Sequence, residues 1–420
     1  MIGLLFGVFF ATLLIGVPVG FSIALSSIAV LLASDISLLI VVQRMFAATD
    51  SFPLIAVPFF ILSGDLLARG AVSRRLVEFA EAALAKIRGR LSVATVGTSM
   101  IFSAISGSGA ATTAAVGSAM LPELKARGYR EESSAALVAA SGTIGVVFPP
   151  SVPMVLFAVV ADQSIIQLFR NGFIPGFLMS GTLIGIAIRQ AYKFNYPQGT
   201  KFSFRNLWNA FRRAILGILM PVIILGGIFS GYFTPSEAAM VAVVYATIVS
   251  MLIYRDLSFK EIYRIMVGSA RTTAIIMIII ACSGSFAWVL ASLRIPQQVA
   301  EAILSISGNQ YVIMLLIALI LLIMGIFMET SSLIVIVVPV FLPLVMGLGI
   351  NMVHFGIVVV VAAAIGMVTP PVAINLFVAS SVTGLPIERI SRAVIPYIIG
   401  LVLVFFLVVY LPMFFPGVIF

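Results

Sequence analysis

Three stretches of this sequence set hydroxyls, glycines and prolines where a chain buried in hydrocarbon would need them to bind a cation or a small polar molecule. The first is Ser103 to Thr113, with Ser103, Ser106, Gly107, Ser108 and Gly109 followed by Thr112 and Thr113. Small residues spaced by four also let helices approach closely, so packing is the competing reading. The segment is nevertheless too short to cross a bilayer twice as full helices. A helix that breaks there leaves carbonyls unsatisfied, at several kcal/mol each. Serine hydroxyls and a bound cation would satisfy them. The second stretch, Ser141 to Pro153, contains Gly142, Gly145 and the pair Pro149-Pro150. Adjacent prolines remove two helix donors, and the residue before a proline avoids the helical region, so the helix must unwind between Gly145 and Pro150. The third, Gly366 to Pro371, repeats that break with Thr369 before Pro370-Pro371. A plain proline kink needs neither the second proline nor the twin.

Acids and amides are sparse around these breaks. A second tip is expected near Met324 to Ser332, and it carries Glu329. A carboxylate in a membrane is costly, so Glu329 is either a coupling group or the wall of an aqueous vestibule. Asn375, one turn beyond the third stretch, is suited to hydrogen-bond a polar substrate. Asp65 precedes Arg69 at (i, i+4) and reads as half of a surface pair. The one histidine, His354, is expected to be solvated at the outer mouth.

What must position these residues is a membrane fold. The chain is 62% hydrophobic and 9% charged, which excludes a soluble globular class. Ten crossings fit the hydropathy: 2–16, 18–33, 53–69, 133–162, 172–191, 214–232, 235–254, 272–291, 351–381 and 391–416. Two further stretches, 92–121 and 311–343, lack the charge change of a crossing and are expected to be re-entrant hairpins. The first crossing has no small-residue cleavage site after it, so no signal peptide is expected.

Shifting the sequence by 221 positions lays Leu121-Pro122 on Leu342-Pro343, Ile144-Gly145 on Ile365-Gly366 and Pro149-Pro150 on Pro370-Pro371. Glycines and prolines persist while the basic loop around Lys125, Arg127 and Arg130 has an uncharged counterpart. Five crossings per half would turn the second half over. With an outside start, all basic residues but Arg44, Arg170 and Arg294 fall on the inner face, 21 of 24, and both termini are periplasmic. The fold expected is therefore all-α and polytopic, with two inverted-topology repeats, each holding a re-entrant helical hairpin and a broken transmembrane helix. Such repeats place a secondary transporter's site at their interface. Ser73–Arg90 and Ile295–Ser307 share the string Ala-Glu-Ala-x-Leu and read as amphipathic braces along the interface, with Glu81 and Glu301 on solvated faces. Tyr192–Arg213 reads as the cytoplasmic connection, anchored by Trp208.

Other functions are poorly served. Placement of the +9 net charge on one membrane face excludes a nucleic-acid partner in favour of the lipid bilayer. No phosphate loop is present, so no ATP is expected, and no organic cofactor. One cysteine and one histidine give neither disulfides nor the constellations an enzyme would want. A channel remains the rival from another class, because broken helices also build selectivity filters.

The strings Gly16-Val17-Pro18-Val19-Gly20-Phe21, Pro58 to Gly64, Ile105 to Ala111, Phe148-Pro149-Pro150-Ser151, Gly172 to Gly176, Thr234-Pro235-Ser236-Glu237-Ala238-Ala239 and Thr369-Pro370-Pro371 are spread along nearly the whole chain. Together they resemble the large, DctM-like membrane subunit of TRAP (tripartite ATP-independent periplasmic) transporters. The resemblance implies an elevator fold of the ion-transporter superfamily in the bacterial inner membrane. It implies sodium-driven uptake of an organic acid handed over by a periplasmic substrate-binding protein, with a small four-helix membrane subunit as partner. That subunit is expected to be a separate chain. By the same resemblance one sodium site maps to Ser103, Ser106, Gly145, Phe148 and Pro149, and a second to Gly325, Thr330, Gly366 and Thr369. Ser108, Thr112, Thr330, Ser331 and Asn375 are then the substrate-facing residues. Residues 1–90 and 214–308 would be scaffold, 91–191 and 309–420 the transport part, and 192–213 the linker. A sodium-coupled dicarboxylate or citrate carrier working without a binding protein is the alternative within transport.

Overall fold

In hydrocarbon every backbone amide and carbonyl must find a partner inside the protein, and helices are the only regular elements by which the described residues do so. A computed structural model describes residues 1–69, 72–199 and 201–415, with no strand among them. Gly70 and Ala71 of the expected first unit, Thr200 of the linker, and residues 416–420 of the last unit lie outside the described residues.

The first half runs α1 (Ile2–Leu14), α2 (Val19–Ala33), α3 (Leu39–Thr49), a 3-10 turn at Phe52–Ile55, α4 (Ala56–Arg69) and α5 (Val72–Ala83). It continues through α6 (Arg90–Ser106), α7 (Gly109–Ala126), α8 (Glu131–Gly142), α9 (Ile144–Val147), α10 (Val152–Val160) and α11 (Ile165–Lys193). The second half begins with α12 (Phe204–Phe229), α13 (Pro235–Ile248), α14 (Phe259–Ser292) and α15 (Ile295–Ile306). It ends with α16 (Gln310–Phe327), α17 (Thr330–Gly347), α18 (Met352–Gly366), α19 (Ile374–Thr383) and α20 (Ile387–Phe414). A shift of 221 carries the bounds of α7 onto those of α17 residue for residue.

Local chemistry sets these bounds. Thr234 and Glu237 form a reciprocal capping box in front of α13, with Pro235 at the first helical position, and Ser258 with Glu261 does the same for α14. Pro149-Pro150 stops the helix at Val147, and Ser151 restarts it as the cap of α10, its hydroxyl accepting from the Met154 amide. The α8–α9 and α10 arms meet at 41°.

Eight helices among the described residues are long and apolar enough to cross a membrane, or nine with the bent pair counted as one span. The protein is a multi-pass membrane protein. α8 and α18 are buried on every side over Ala135–Gly142 and Val353–Gly366, as befits helices without a polar face at the centre of a bundle. Around them α13 packs on α4, α12 on α5, and α14 on α2, α3 and α4, so the two halves interlock.

Several details differ from the sequence reading. The expected crossing at 272–291 belongs to a 34-residue helix, about 51 Å long at 1.5 Å per residue. Its counterpart in the first half is interrupted between Thr49 and Ala56. α3 was not foreseen, because eleven residues are too few for a hydropathy window to register. The first brace stops at Ala83, and Gly89 turns the chain in a left-handed conformation into α6. α11 runs to Lys193 and α12 starts at Phe204, so helix takes up both ends of the expected linker. His354 is buried, with Nε2 hydrogen-bonded at 2.9 Å to the Val408 carbonyl across α20, so it is not solvated. Glu81 is not a free surface acid either: it pairs with Arg90 at 2.9 Å and lies 3.9 Å from Arg127, joining the brace to both ends of the α6–α7 hairpin.

Candidate functional site

At the first tip α6 ends on Gly107, whose left-handed backbone (φ 58°) lets its amide reach the Ser103 carbonyl at 3.0 Å. Ser108 then caps α7, accepting from the Ala111 amide at 3.4 Å. The Ser106 and Thr112 hydroxyls lie 2.9 Å apart, and Thr112 Oγ1 also donates to the Ser108 carbonyl at 2.8 Å. The first break is seated directly on this tip. A Cβ on Gly145 would lie 2.6 Å from both the Ser108 carbonyl oxygen and Thr112 Oγ1, so only glycine fits. The Val152 amide donates to the Gly107 carbonyl at 3.3 Å. Ser151 Oγ donates to the Val146 carbonyl, occupying one of the acceptors the break exposes. Ser103 lies deeper, its hydroxyl turned back to the Ser99 carbonyl. Phe148 directs its ring away, against Phe173 and Phe177, leaving its main chain at the break.

The second tip uses the same frame with different caps. Glu329 caps α17, its Oε2 accepting from the Ser331 amide at 2.9 Å and the Ser332 amide at 3.3 Å, and its Oε1 from the Ser331 hydroxyl. A carboxylate at a helix start satisfies orphan amides and opposes the helix dipole. That gives Glu329 a structural duty as well as its place in the cavity wall. Thr330 is 4% exposed, and its hydroxyl has no hydrogen-bond partner. Gly325 and Gly366 touch backbone to backbone: a Cβ on Gly366 would lie 2.0 Å from the Gly325 carbonyl oxygen. Thr369 Oγ1 donates to the Ile365 carbonyl at 2.8 Å within the same break.

Between the tips lies a cavity of about 310 Å³, at the small end of ligand-sized sites. The first tip contributes the run from Ser106 to Ala111, the second Glu329, Thr330 and Ser331. Val146, Val152 and Pro153 line it beside the first break, Met367 and Ile374 at the second. The opposite wall is Ile61 and Asp65 of α4 with Thr272 and Ile276 of α14. No lysine, arginine or histidine faces it among the described residues.

Of the sequence-derived substrate residues, Ser108, Thr330 and Ser331 line the cavity. Thr112 sits one layer behind, under Ser106. Asn375 faces elsewhere: it is fully buried, its Nδ2 donates to the Ala139 carbonyl at 3.1 Å, and its Oδ1 has no partner. Asp65 is the residue sequence reasoning misplaced. It forms no ion pair with Arg69 among the described residues; its Oδ2 accepts from the Ser269 hydroxyl of α14 at 2.6 Å, and it lines the cavity. A lone acid in the run from Ala56 to Leu67, where Ser63 is the one other polar side chain, was the available signal, but the wall needed α14, some 200 residues away.

The family model for the tripartite ATP-independent periplasmic transporter, DctM component, matches residues 6–414. Similar proteins include the isethionate TRAP transporter permease protein DctMQ of Oleidesulfovibrio alaskensis, 40% identical over 98% of this chain and 66% of that protein's length. The C4-dicarboxylate TRAP transporter large permease protein DctM of Pseudomonas aeruginosa is 40% identical, covering 92% of this chain and 90% of its own. The sialic acid TRAP transporter large permease protein SiaM of Vibrio cholerae is 36% identical over 99% and 97%. Among solved structures, the YdaH transporter of Alcanivorax borkumensis superposes with a TM-score of 0.63 over 90% of this chain and 88% of that one. At 15% identity that is a likeness of fold.

Proposed function

The chain belongs to the DctM component family of tripartite ATP-independent periplasmic transporters, and from that premise we propose sodium-gradient-driven uptake of a small organic acid by an elevator-type movement. As a transporter permease it is not an enzyme. The observation that carries the reading is the cavity's position. One wall is made of both hairpin tips and both breaks, the other of α4 and α14.

In this reading two inverted repeats supply the parts. Residues 91–191 and 309–420 move as one body, 1–90 and 214–308 stay as scaffold, and 192–213 links the halves. A site on the border between two bodies changes its exposure when one slides past the other, which is what alternating access requires. The partners are a small four-helix membrane subunit and a periplasmic binding protein, and the location is the inner membrane with both termini periplasmic.

Sodium would be held by hydroxyl and carbonyl oxygens at the two breaks. For Ser103, Ser106, Gly145, Phe148 and Pro149, the support is the close seating of Gly145 on the first tip. For Gly325, Thr330, Gly366 and Thr369, it is the Gly325–Gly366 contact and the unpartnered Thr330 hydroxyl beside it. Each charge crossing ~100 mV contributes about 2.3 kcal/mol. About two sodium ions with a monoanion gain one such increment from voltage; with a dianion they gain none, so the sodium concentration gradient must supply the drive.

The test is uptake of labelled acids into proteoliposomes holding this chain and its small partner under an inward sodium gradient. Uptake that needs both sodium and the binding protein is the expected result. Sodium-driven uptake without the binding protein would make this a stand-alone carrier. A current independent of any acid would make it a channel and end the elevator account.

A further inference from the structure

We propose that the protein holds the phosphodiester of an anionic phospholipid in a basic pocket between α5 and α12, apart from the transport cavity. Basic residues scattered over one face of a membrane protein are ordinary and make no site. Here four guanidiniums converge from two helices far apart in the chain. Arg74 and Arg75 stand in the first turn of α5, Arg212 and Arg213 in α12, and all four line one cavity of about 730 Å³. Glu78 is the one carboxylate among the described lining residues. It lies 3.8 Å from Arg74 and 3.7 Å from Arg213, beyond the ~2.7–2.9 Å of a charge-assisted hydrogen bond. Arg75 and Arg212 form no ion pair among the described residues. Like charges gathered around one carboxylate repel, and an anion seated among them relieves that repulsion.

Two further features suit this charge to a lipid headgroup. The first is a fixed donor. The Arg75 guanidinium carbon lies 3.4 Å from the centre of the Tyr254 ring, a contact that orients the planar fork and leaves its N–H edge for an anion. Tyr254 is itself tied down, its hydroxyl donating to the Arg213 carbonyl at 2.9 Å, so one tyrosine links both sides of the pocket. The second is apolar surface. Ile215 and Leu216 line the pocket, and α12 continues from Ile215 to Phe229 without a charged residue. Leu252 and Ile253, next to Tyr254 in the chain, are exposed. Trp208, one turn before Arg212, is exposed and stacked on Phe211 at 5.7 Å, as aromatics are at the boundary of a bilayer. The guanidiniums thus stand at headgroup level with surface for acyl chains beside them, where basic pockets take anionic headgroups. A soluble phosphate would use the charge and not the apolar surface. A zwitterionic headgroup would bring an ammonium group among four guanidiniums.

The experiment is native mass spectrometry of the purified, delipidated full chain with its small membrane subunit, titrated with phosphatidylglycerol, phosphatidylethanolamine and inorganic phosphate. Phosphatidylglycerol should be retained at about tenfold lower concentration than phosphatidylethanolamine, and excess inorganic phosphate should not displace it. Equal retention of the two lipids overturns the proposal. Displacement by inorganic phosphate makes this a pocket for a soluble anion and also overturns it. Retention only after the small subunit is removed makes the pocket a subunit contact, with the same consequence. Arg75→Gln together with Arg212→Gln should weaken phosphatidylglycerol binding about fivefold or more. Lys260→Gln together with Arg264→Gln, on exposed basic residues of α14, should change it by less than about twofold. Equal losses from the two double variants mean diffuse attraction rather than a site, and overturn the assignment. Should the first double variant not assemble, Arg212→Gln alone replaces it, on an exposed side chain without an ion pair. About threefold weakening is then expected, and unchanged binding refutes the site.

Discussion

At the first tip a serine hydroxyl caps the helix through one amide, that of Ala111; at the second a glutamate carboxylate takes two, those of Ser331 and Ser332, and the hydroxyl of Thr330, the first helical residue, is unpaired. Ser108 and Glu329 occupy matching positions 221 residues apart, as do Gly109 and Thr330. The backbone frame is shared, down to glycines that admit no Cβ where each break is packed, Gly145 on one side and Gly366 on the other. The difference lies in the caps. A backbone frame can thus recur in both halves while the charge of one cap changes.

The largest effect should come from the glycines that hold breaks and tips together. Gly366→Ala sets a Cβ against a backbone carbonyl, whereas Gly145→Ala meets one backbone oxygen and one hydroxyl that can rotate. Overpacking costs ~1–3 kcal/mol, and Gly366→Ala should sit at or above the top of that range. Its uptake should be abolished, and its melting temperature should fall further than that of Gly145→Ala. Equal melting temperatures would mean that the two breaks are packed alike.

Next come the caps. Removing a helix cap costs ~0.5–2 kcal/mol. Glu329→Ala loses contacts to two amides and Ser108→Ala to one, so their unfolding midpoints should separate, with Glu329→Ala the lower. A smaller separation concerns the hydroxyls. Thr330→Val removes a group free to bind a cation, while Ser106→Ala removes one already joined to Thr112. Thr330→Val should raise the sodium concentration for half-maximal uptake about three- to tenfold, or ~0.7–1.4 kcal/mol, and Ser106→Ala less. The reverse order would place the more accessible ion site at the first tip. The smallest effect on transport is expected from Asn375→Leu. Orphaning the Ala139 carbonyl should cost stability of about 1–3 kcal/mol, yet the half-saturating acid concentration should stay within about twofold, because Asn375 does not reach the cavity.

Much of this arrangement was legible in the sequence where physics acts locally. Proline removes a donor wherever it stands, so Pro149-Pro150 and Pro370-Pro371 announced two breaks. Thr234 with Glu237 announced a helix start, and Ser103 to Thr113 announced a tip. What stayed hidden were duties assigned by distant neighbours. Asp65 was read with Arg69, four residues away, but its partner is Ser269 on α14. Asn375 was read as facing a substrate, but its amide is bonded to the Ala139 carbonyl of α8 and it does not line the cavity. His354 was read as solvated, but α20 folds over it.

Sequence alone determined the two proline breaks and the Thr234 cap, because each depends on residues within a few turns, and it displayed the spacing by which one half echoes the other. Tertiary structure decided which acids share one cavity and which hydroxyl is stranded beside it. Those outcomes depend on segments that meet only after the two halves interlock, and no local pattern encodes who the neighbour will be.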